Sequence, residues 1–194
     1  MEENTMTLDI IHPSDMTLSI GREARPRLAG DISSLHNSLI QSPPYPSDTV
    51  SIPTVGIYVK EGAAQVVIET AEDMSQTKWL QQTITALIQL IWLPPDWSSD
   101  RPKKIETKAI ENMLGLLLAI LDPDTIPPAV VPTRQGGVQV EWHQNGIDLE
   151  IKALPAGQLE FFVSGSENEF EGPIERDLAV LGPFVHQLKS ATAL

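Results

Sequence analysis

A chain of 194 residues, 41% of them hydrophobic, can bury the core of one ordinary domain and carry an appendage, which argues against wholesale disorder. Its formal net charge is −13, from 26 acidic against 13 basic residues, so phosphate backbones repel it and direct nucleic-acid binding is disfavoured. With no cysteine it has no disulfide, no thiolate metal site and no cysteine nucleophile, a usage that fits a reducing compartment.

The chain opens on Met1-Glu2-Glu3-Asn4, which is acidic and lacks the basic n-region of a secretory signal. Residues 1–48 are rich in Ser, Pro and Thr and read as an N-terminal arm, partly irregular or loosely attached. Thr7–Ile11 and Met16–Ile20 alternate as short strands do, Asp31–Ile40 has a weak helical pattern, and Ser42-Pro43-Pro44-Tyr45-Pro46-Ser47 is a stiff extended linker. Residues 49–194 read as the compact unit. Val55–Lys60 and Gln65–Glu69 predict a hairpin turning through Glu61-Gly62-Ala63-Ala64. Thr70 with Asp73, or Ser75, is placed to cap a helix from about Gln76 to Trp92, whose Leu80, Ile84, Leu87, Ile88 and Ile91 share one face. Leu93-Pro94-Pro95 stops that helix, because proline lacks an N–H and restricts the residue before it.

Asp96–Asp100 is a turn, and a second helix follows from Pro102 or Lys104 to Leu121, with Ile105, Ala109, Met113, Leu116, Leu117 and Ile120 as its main stripe. From Met113 onward it is apolar on nearly every side. Such a helix is either central in the core or lies at a subunit contact; the second reading makes Met113–Leu121 the seam of a homo-oligomer. Glu111, Asn112 and Gly115 interrupt the apolar tract, which is too short to span a bilayer. The expected setting is the cytoplasm, with no membrane partner. Asp122–Pro128 is a rigid connection. A three-strand meander follows, Gly137–His143, Ile147–Ala153 and Leu159–Val163. Then come an acidic loop, Ser164–Gly172, and a last helix from Pro173 to Ala193, bent at Gly182-Pro183. The fold class is α+β: a mainly antiparallel sheet, a hairpin plus the three-strand meander, covered on one face by two to three helices.

The most specific stretch is Gly136–Ile151. Asn145-Gly146 is a strong type I′ hairpin signal, since both central residues need positive φ. A two-residue loop there pairs Gln144 with Ile147, His143 with Asp148, Trp142 with Leu149, Glu141 with Glu150, Val140 with Ile151 and Gln139 with Lys152. Side chains alternate between faces. Val138, Val140, Trp142, Ile147, Leu149 and Ile151 therefore face the core. Gln139, Glu141, His143, Asp148, Glu150 and Lys152 share the opposite face, which Glu160 of the third strand can join.

Opposed carboxylates repel rather than stabilise a sheet, and three readings of Glu141 facing Glu150 stand open. Both can point into water and be screened, with Lys152 and His143 diluting their charge. The face can dock a cationic patch on another protein. Or the carboxylate pair with a nearby His can bind a divalent ion or run acid–base chemistry. In the last case Glu150-Ile151-Lys152 has the E-x-K spacing of the PD-(D/E)xK nucleases, Glu141 would take the acidic position across the hairpin, and the enzyme would be a metal-dependent hydrolase. The preceding Pro-Asp of that pattern is absent.

Other chemistry finds less. His12, His36, His143 and His186 lack metal-site spacing, and no G-x-S-x-G, Walker or G-x-G-x-x-G pattern occurs. No pattern implies a cofactor. Trp79, Trp92 and Trp142 read as core anchors. Trp97, in a Pro/Ser turn, either plugs the sheet or presents a contact to a partner.

From Leu93 onward the chain resembles a family of uncharacterised bacterial proteins. There, a helix ending in L-P-x-x-W and a second helix precede a segment of the form P-T-x-x-G-G-V-Q-x-E-W-x-x-x-G-x-D-L-E-I. The matching residues are Leu93-Pro94-Pro95-Asp96-Trp97 and Val130-Val131-Pro132-Thr133 through Ile151. The family's Trp-Asp-Gly stretch after the first Trp is replaced by Ser98-Ser99-Asp100. The resemblance implies a shared fold and surface and supplies no reaction. The leading expectation is a non-enzymatic protein–protein interaction module: an adaptor, an immunity- or antitoxin-like partner, or a subunit of a larger assembly. It would bind a basic protein surface through Gln139, Glu141, His143, Asp148, Glu150 and Trp97. The alternative is the metal-dependent hydrolase built on Glu141, Glu150 and Lys152.

Overall fold

The computed structural model describes residues 4–11, 53–60, 63–70, 74, 76–94, 96–99, 101–144, 146–165, 169–174 and 178–188. The strand expected at Met16–Ile20, the helix at Asp31–Ile40 and the linker at Ser42–Ser47 lie outside these residues, as does the boundary near residue 48.

Two antiparallel sheets carry the fold. β1 (Asn4–Ile11), β2 (Thr54–Lys60) and β3 (Ala63–Thr70) form the first, in the order β1-β3-β2. β4 (Ala129–Pro132), β5 (Val138–Gln144), β6 (Ile147–Ala153), β7 (Leu159–Ser164) and β8 (Glu169–Ile174) form the second as a five-strand meander. The α-helices among the described residues are α1 (Leu80–Gln89), α2 (Thr107–Ile120) and α3 (Gly182–Val185). The protein is thus α+β, with its strands divided between two sheets where one was expected. The first strand of the N-terminal arm is the edge of the smaller sheet: Met6 pairs with Ile68 and Leu8 with Val66, and both side chains pack on the core.

The all-round apolar character of α2 has a direct cause. The helix packs against β2 of the first sheet and against β5 and β6 of the second, so it has no solvent side over much of its length. Met113, Leu114, Leu116 and Leu117 are fully buried, each such burial stabilising by about 1.5–3 kcal/mol before chain entropy is counted. The stretch that suggested a homo-oligomer seam is therefore covered within one chain. Its two polar interruptions join the helix to the sheets. Glu111 Oε1 accepts a hydrogen bond from the Ile57 N–H of edge strand β2, at 3.2 Å. Asn112 Nδ2 donates to the Gly157 carbonyl in the β6–β7 turn, at 2.6 Å. No helix among the described residues is long and apolar enough to cross a membrane.

Two tryptophans clamp the rigid connection after α2. The Trp79 indole donates to the Asp122 carbonyl at 3.0 Å, and the Trp142 indole donates to the Ile126 carbonyl at 2.8 Å. The Ile126 N–H in turn donates to the Leu188 carbonyl, which ties the C-terminal segment to the same loop. Buried Trp needs such an acceptor for its N–H, and the proline-stiffened loop offers one at each end.

Several boundaries differ from the sequence reading, each for a backbone reason. α1 starts at Leu80 rather than Gln76 and has no side-chain cap; the residues before it form turns, and the Lys78 N–H donates to Pro123 O. α2 starts at Thr107 because Glu106 is extended, with ψ 130°, and the Lys103 and Glu106 N–H groups tie this entry segment to Arg134 O and Gly136 O. β4 and β8 were not anticipated as strands. Both are sheet edges, where proline is tolerated, and Pro132 and Pro173 lie in them. The single helix expected over 173–193 is corrected: Pro173-Ile174 closes β8, 3-10 turns at Leu178–Leu181 and His186–Leu188 flank a four-residue α3. Pro183 sits in the first turn of α3, where its missing N–H costs nothing.

Candidate functional site

The hairpin register is the one read from the sequence. β5 pairs with β6 as Gln139 with Lys152, Glu141 with Glu150, His143 with Asp148 and Gln144 with Ile147. A two-residue connection follows; Gly146 has φ +76°, while Asn145 lies outside the described residues. Val138, Val140, Trp142, Ile147, Leu149 and Ile151 are all buried. The opposite face is consequently turned away from the core.

Pairing partners share a face, so three rows of side chains run across the outer face of the second sheet. The first is His143, Asp148, Ser164 and Glu169. The second is Ala129, Glu141, Glu150, Phe162 and Glu171. The third is Val131, Gln139, Lys152, Glu160 and Pro173. Every charged group in these rows is a carboxylate except Lys152 and, when protonated, His143. Glu169 and Glu171 join this face because the segment expected as an acidic loop pairs with β7 as an edge strand. Edge strands of this kind often carry charge and proline, which blunt pairing with other chains.

The opposed carboxylates are held by two donors. Gln139 Nε2 donates to Glu141 Oε1 at 2.7 Å and to Glu150 Oε2 at 3.0 Å. This amide bridges the pair that would otherwise repel. His143 spans the next two: Nδ1 lies 2.9 Å from Asp148 Oδ1 and Nε2 lies 3.2 Å from Glu141 Oε2. The hydrogen bond to Asp148 does most to raise the His143 pKa above 6.5. Burial opposes the rise, and the Glu141 hydrogen bond and the charge of both carboxylates reinforce it.

The structure brings Gln139, Glu141, His143, Asp148, Glu150 and Lys152 onto one surface, with Glu160 beside Lys152. Trp97 stands apart, in the turn at 96–99. It is half-buried, its backbone N–H donates to Pro94 O at 3.1 Å, and its indole N–H is enclosed without an acceptor among the described residues. The depression lined by Glu150, Lys152, Glu160, Phe161 and Phe162 is shallow, with room for about one water molecule. Among the described residues no group of three or more His, Asp or Glu is arranged to hold a metal ion.

The glycine pair of the Thr133–Gly137 segment has an architectural role. Gly137 N–H donates to Thr133 Oγ1 at 2.9 Å, and a Cβ on Gly137 would run into the Ala153 carbonyl oxygen. Only glycine lets β5 begin this close to the end of β6. No protein-family model matches the chain, no curated protein is similar to it, and no solved structure matches it.

Proposed function

We propose that this protein is a non-enzymatic interaction module whose outer sheet face docks a basic surface of another protein. The carrying observation is the set of carboxylates on one sheet face: Glu141, Asp148 and Glu150 on β5 and β6, and Glu169 and Glu171 on β8, with Ser164 and Phe162 of β7 between them. Strand pairing fixes their spacing, so the negative potential is a property of the fold rather than of mobile side chains. Gln139 orients the central carboxylates, which lowers the ordering cost of binding. An adaptor in the cytoplasm, an immunity- or antitoxin-like partner of a basic protein, or a subunit of a larger assembly would each use such a face.

The test is capture followed by neutralisation. A partner recovered with the wild-type chain is identified, purified and titrated against wild type and against the triple variant E141Q/E150Q/E171Q. The expected result is loss of most of the affinity in the variant and a steep decline with added salt, since exposed charge pairs are screened beyond about 10 Å at 0.1 M. Undiminished binding by the triple variant would remove the face from the interaction.

A further inference from the structure

His143 can make both of its hydrogen bonds at once only as the imidazolium. A neutral imidazole has one N–H and one lone pair, whereas a carboxylate offers acceptors alone. Both ring nitrogens of His143 face carboxylate oxygens, Asp148 Oδ1 at 2.9 Å and Glu141 Oε2 at 3.2 Å. The imidazolium donates to both. The neutral ring can donate to one and must turn a lone pair toward the other.

The neutral ring keeps Asp148, the shorter of the two contacts, and releases Glu141. Glu141 is the carboxylate directly opposite Glu150, at the centre of the acidic face. Loss of one proton therefore does two things at once: it makes the face one charge more negative, and it frees the central carboxylate for another cation. The charged groups facing His143 are Glu141 on its own strand, and Asp148 and Glu150 on β6; beyond them the row continues through Ser164 on β7 to Glu169 on β8. β4 ends opposite Glu141 and brings no charged group to His143.

We propose that His143 is a proton-operated clasp on this face: loaded, it occupies Glu141 and Asp148; unloaded, it releases Glu141 to a basic partner. The proposal rests on the docking reading above and adds its regulation. Partner binding then tightens as pH rises through the titration of His143, in a window above pH 6.5, since the carboxylates raise its midpoint from that value.

Two measurements on the full chain test it. The first follows the His143 imidazole by NMR in wild type, D148N and E141Q. The expected midpoint is above 6.5 in wild type and lower in both variants, more so in D148N. A wild-type midpoint at or below 6.5 overturns the clasp. The second titrates a short oligolysine peptide, which stays charged over this range, against wild type and H143Q from about pH 5.5 to pH 9. Wild-type affinity should rise about fivefold, the effect of one unit charge near 4 Å in water, and H143Q should show a flat profile at the high-pH level. Equal pH dependence in the two proteins overturns the gating. Binding at no pH by either protein defeats the docking reading itself, and the regulation with it, while the NMR midpoints still report whether the clasp forms.

Discussion

Replacing Gln139 by glutamate turns a donor that bridges Glu141 and Glu150 into a third carboxylate. Gln139 makes two hydrogen bonds, at 2.7 and 3.0 Å, on a half-buried surface, and each contributes about 0.5–1.5 kcal/mol net. Two new like-charge contacts, to Glu141 and to Glu150, add about 0.2–1 kcal/mol each, and a new attractive pair with Lys152, directly opposite, offsets about 0.2–1 kcal/mol. The expected destabilisation of Q139E is centred on about 2.5 kcal/mol. For a chain of this size that lowers Tm by roughly 5–10 °C. Urea unfolding at pH 8 in low salt measures it. The control Q139M removes the donors without adding charge and should cost only the hydrogen-bond part, about 1–3 kcal/mol. In about 0.5 M salt, where the Debye length is roughly 4 Å, Q139E should recover toward Q139M. A Q139E chain as stable as wild type, or a deficit that ignores salt, would refute the bridging role.

Three further outcomes follow from the same structure. W142F leaves the Ile126 carbonyl without its indole donor and a void behind the smaller ring, so it should lose about 2–4 kcal/mol in chemical unfolding; stability within 0.5 kcal/mol of wild type would contradict the clamp. G137A drives a Cβ into the Ala153 carbonyl, whereas G146A meets no atom within 4 Å and only strains φ at +76°; the first should cost more, about 3 kcal/mol against about 1 kcal/mol, read from urea midpoints. His143 has a folded-state pKa raised by its carboxylate partners, so its contribution to stability is full below pH 6.5 and is lost as pH rises through the folded value. The stability difference between wild type and H143Q should therefore shrink from pH 6 to pH 9, and a difference that grows with pH would reverse the sign of the argument.

Much of the second sheet was legible because one dipeptide sets it. Asn145-Gly146 fixes the register, the register fixes which side chain opposes which, and period-two alternation sends Trp142 inward and Glu141 outward. β4 and β8 were not legible, since their prolines and acids are what local propensity assigns to loops; only the neighbouring strand makes them sheet edges. The last helix failed for the opposite reason. Its apolar spacing at Leu181, Val185 and Leu188 is real, and all three are buried, but Pro173 and Gly182-Pro183 break the backbone into β8 and short turns. The site was half legible. Strand spacing placed Glu141 opposite Glu150, yet the roles of Gln139 and His143 as bridges depend on side-chain rotamers that no sequence pattern specifies. Glu111 and Asn112 illustrate the same limit: as sequence they interrupt an apolar helix, and only the two flanking sheets show what they hold.

The segment from Pro132 to Ile151 separates into residues that build and residues that face outward. Pro132 closes edge strand β4, Thr133 and Gly137 form the turn that admits β5 beside Ala153, Trp142 fastens the Asp122–Pro128 connection, and Val138, Val140, Leu149 and Ile151 fill the core. Glu141 and Glu150 do none of this. Their direct opposition is unfavourable, and Gln139 and His143 offset it only by committing their own hydrogen bonds. The opposed pair is the point at which this face departs from what strand pairing favours, and the docking reading proposed above would account for it. Neutralising both carboxylates should separate stability from binding. E141Q/E150Q keeps an acceptor for Gln139 at each position and is expected to unfold at a urea midpoint equal to or above that of wild type in low salt at pH 8, while its affinity for a basic partner falls. A double variant that both unfolds earlier and binds as before would make the acids structural, and the outer face an ordinary solvated one.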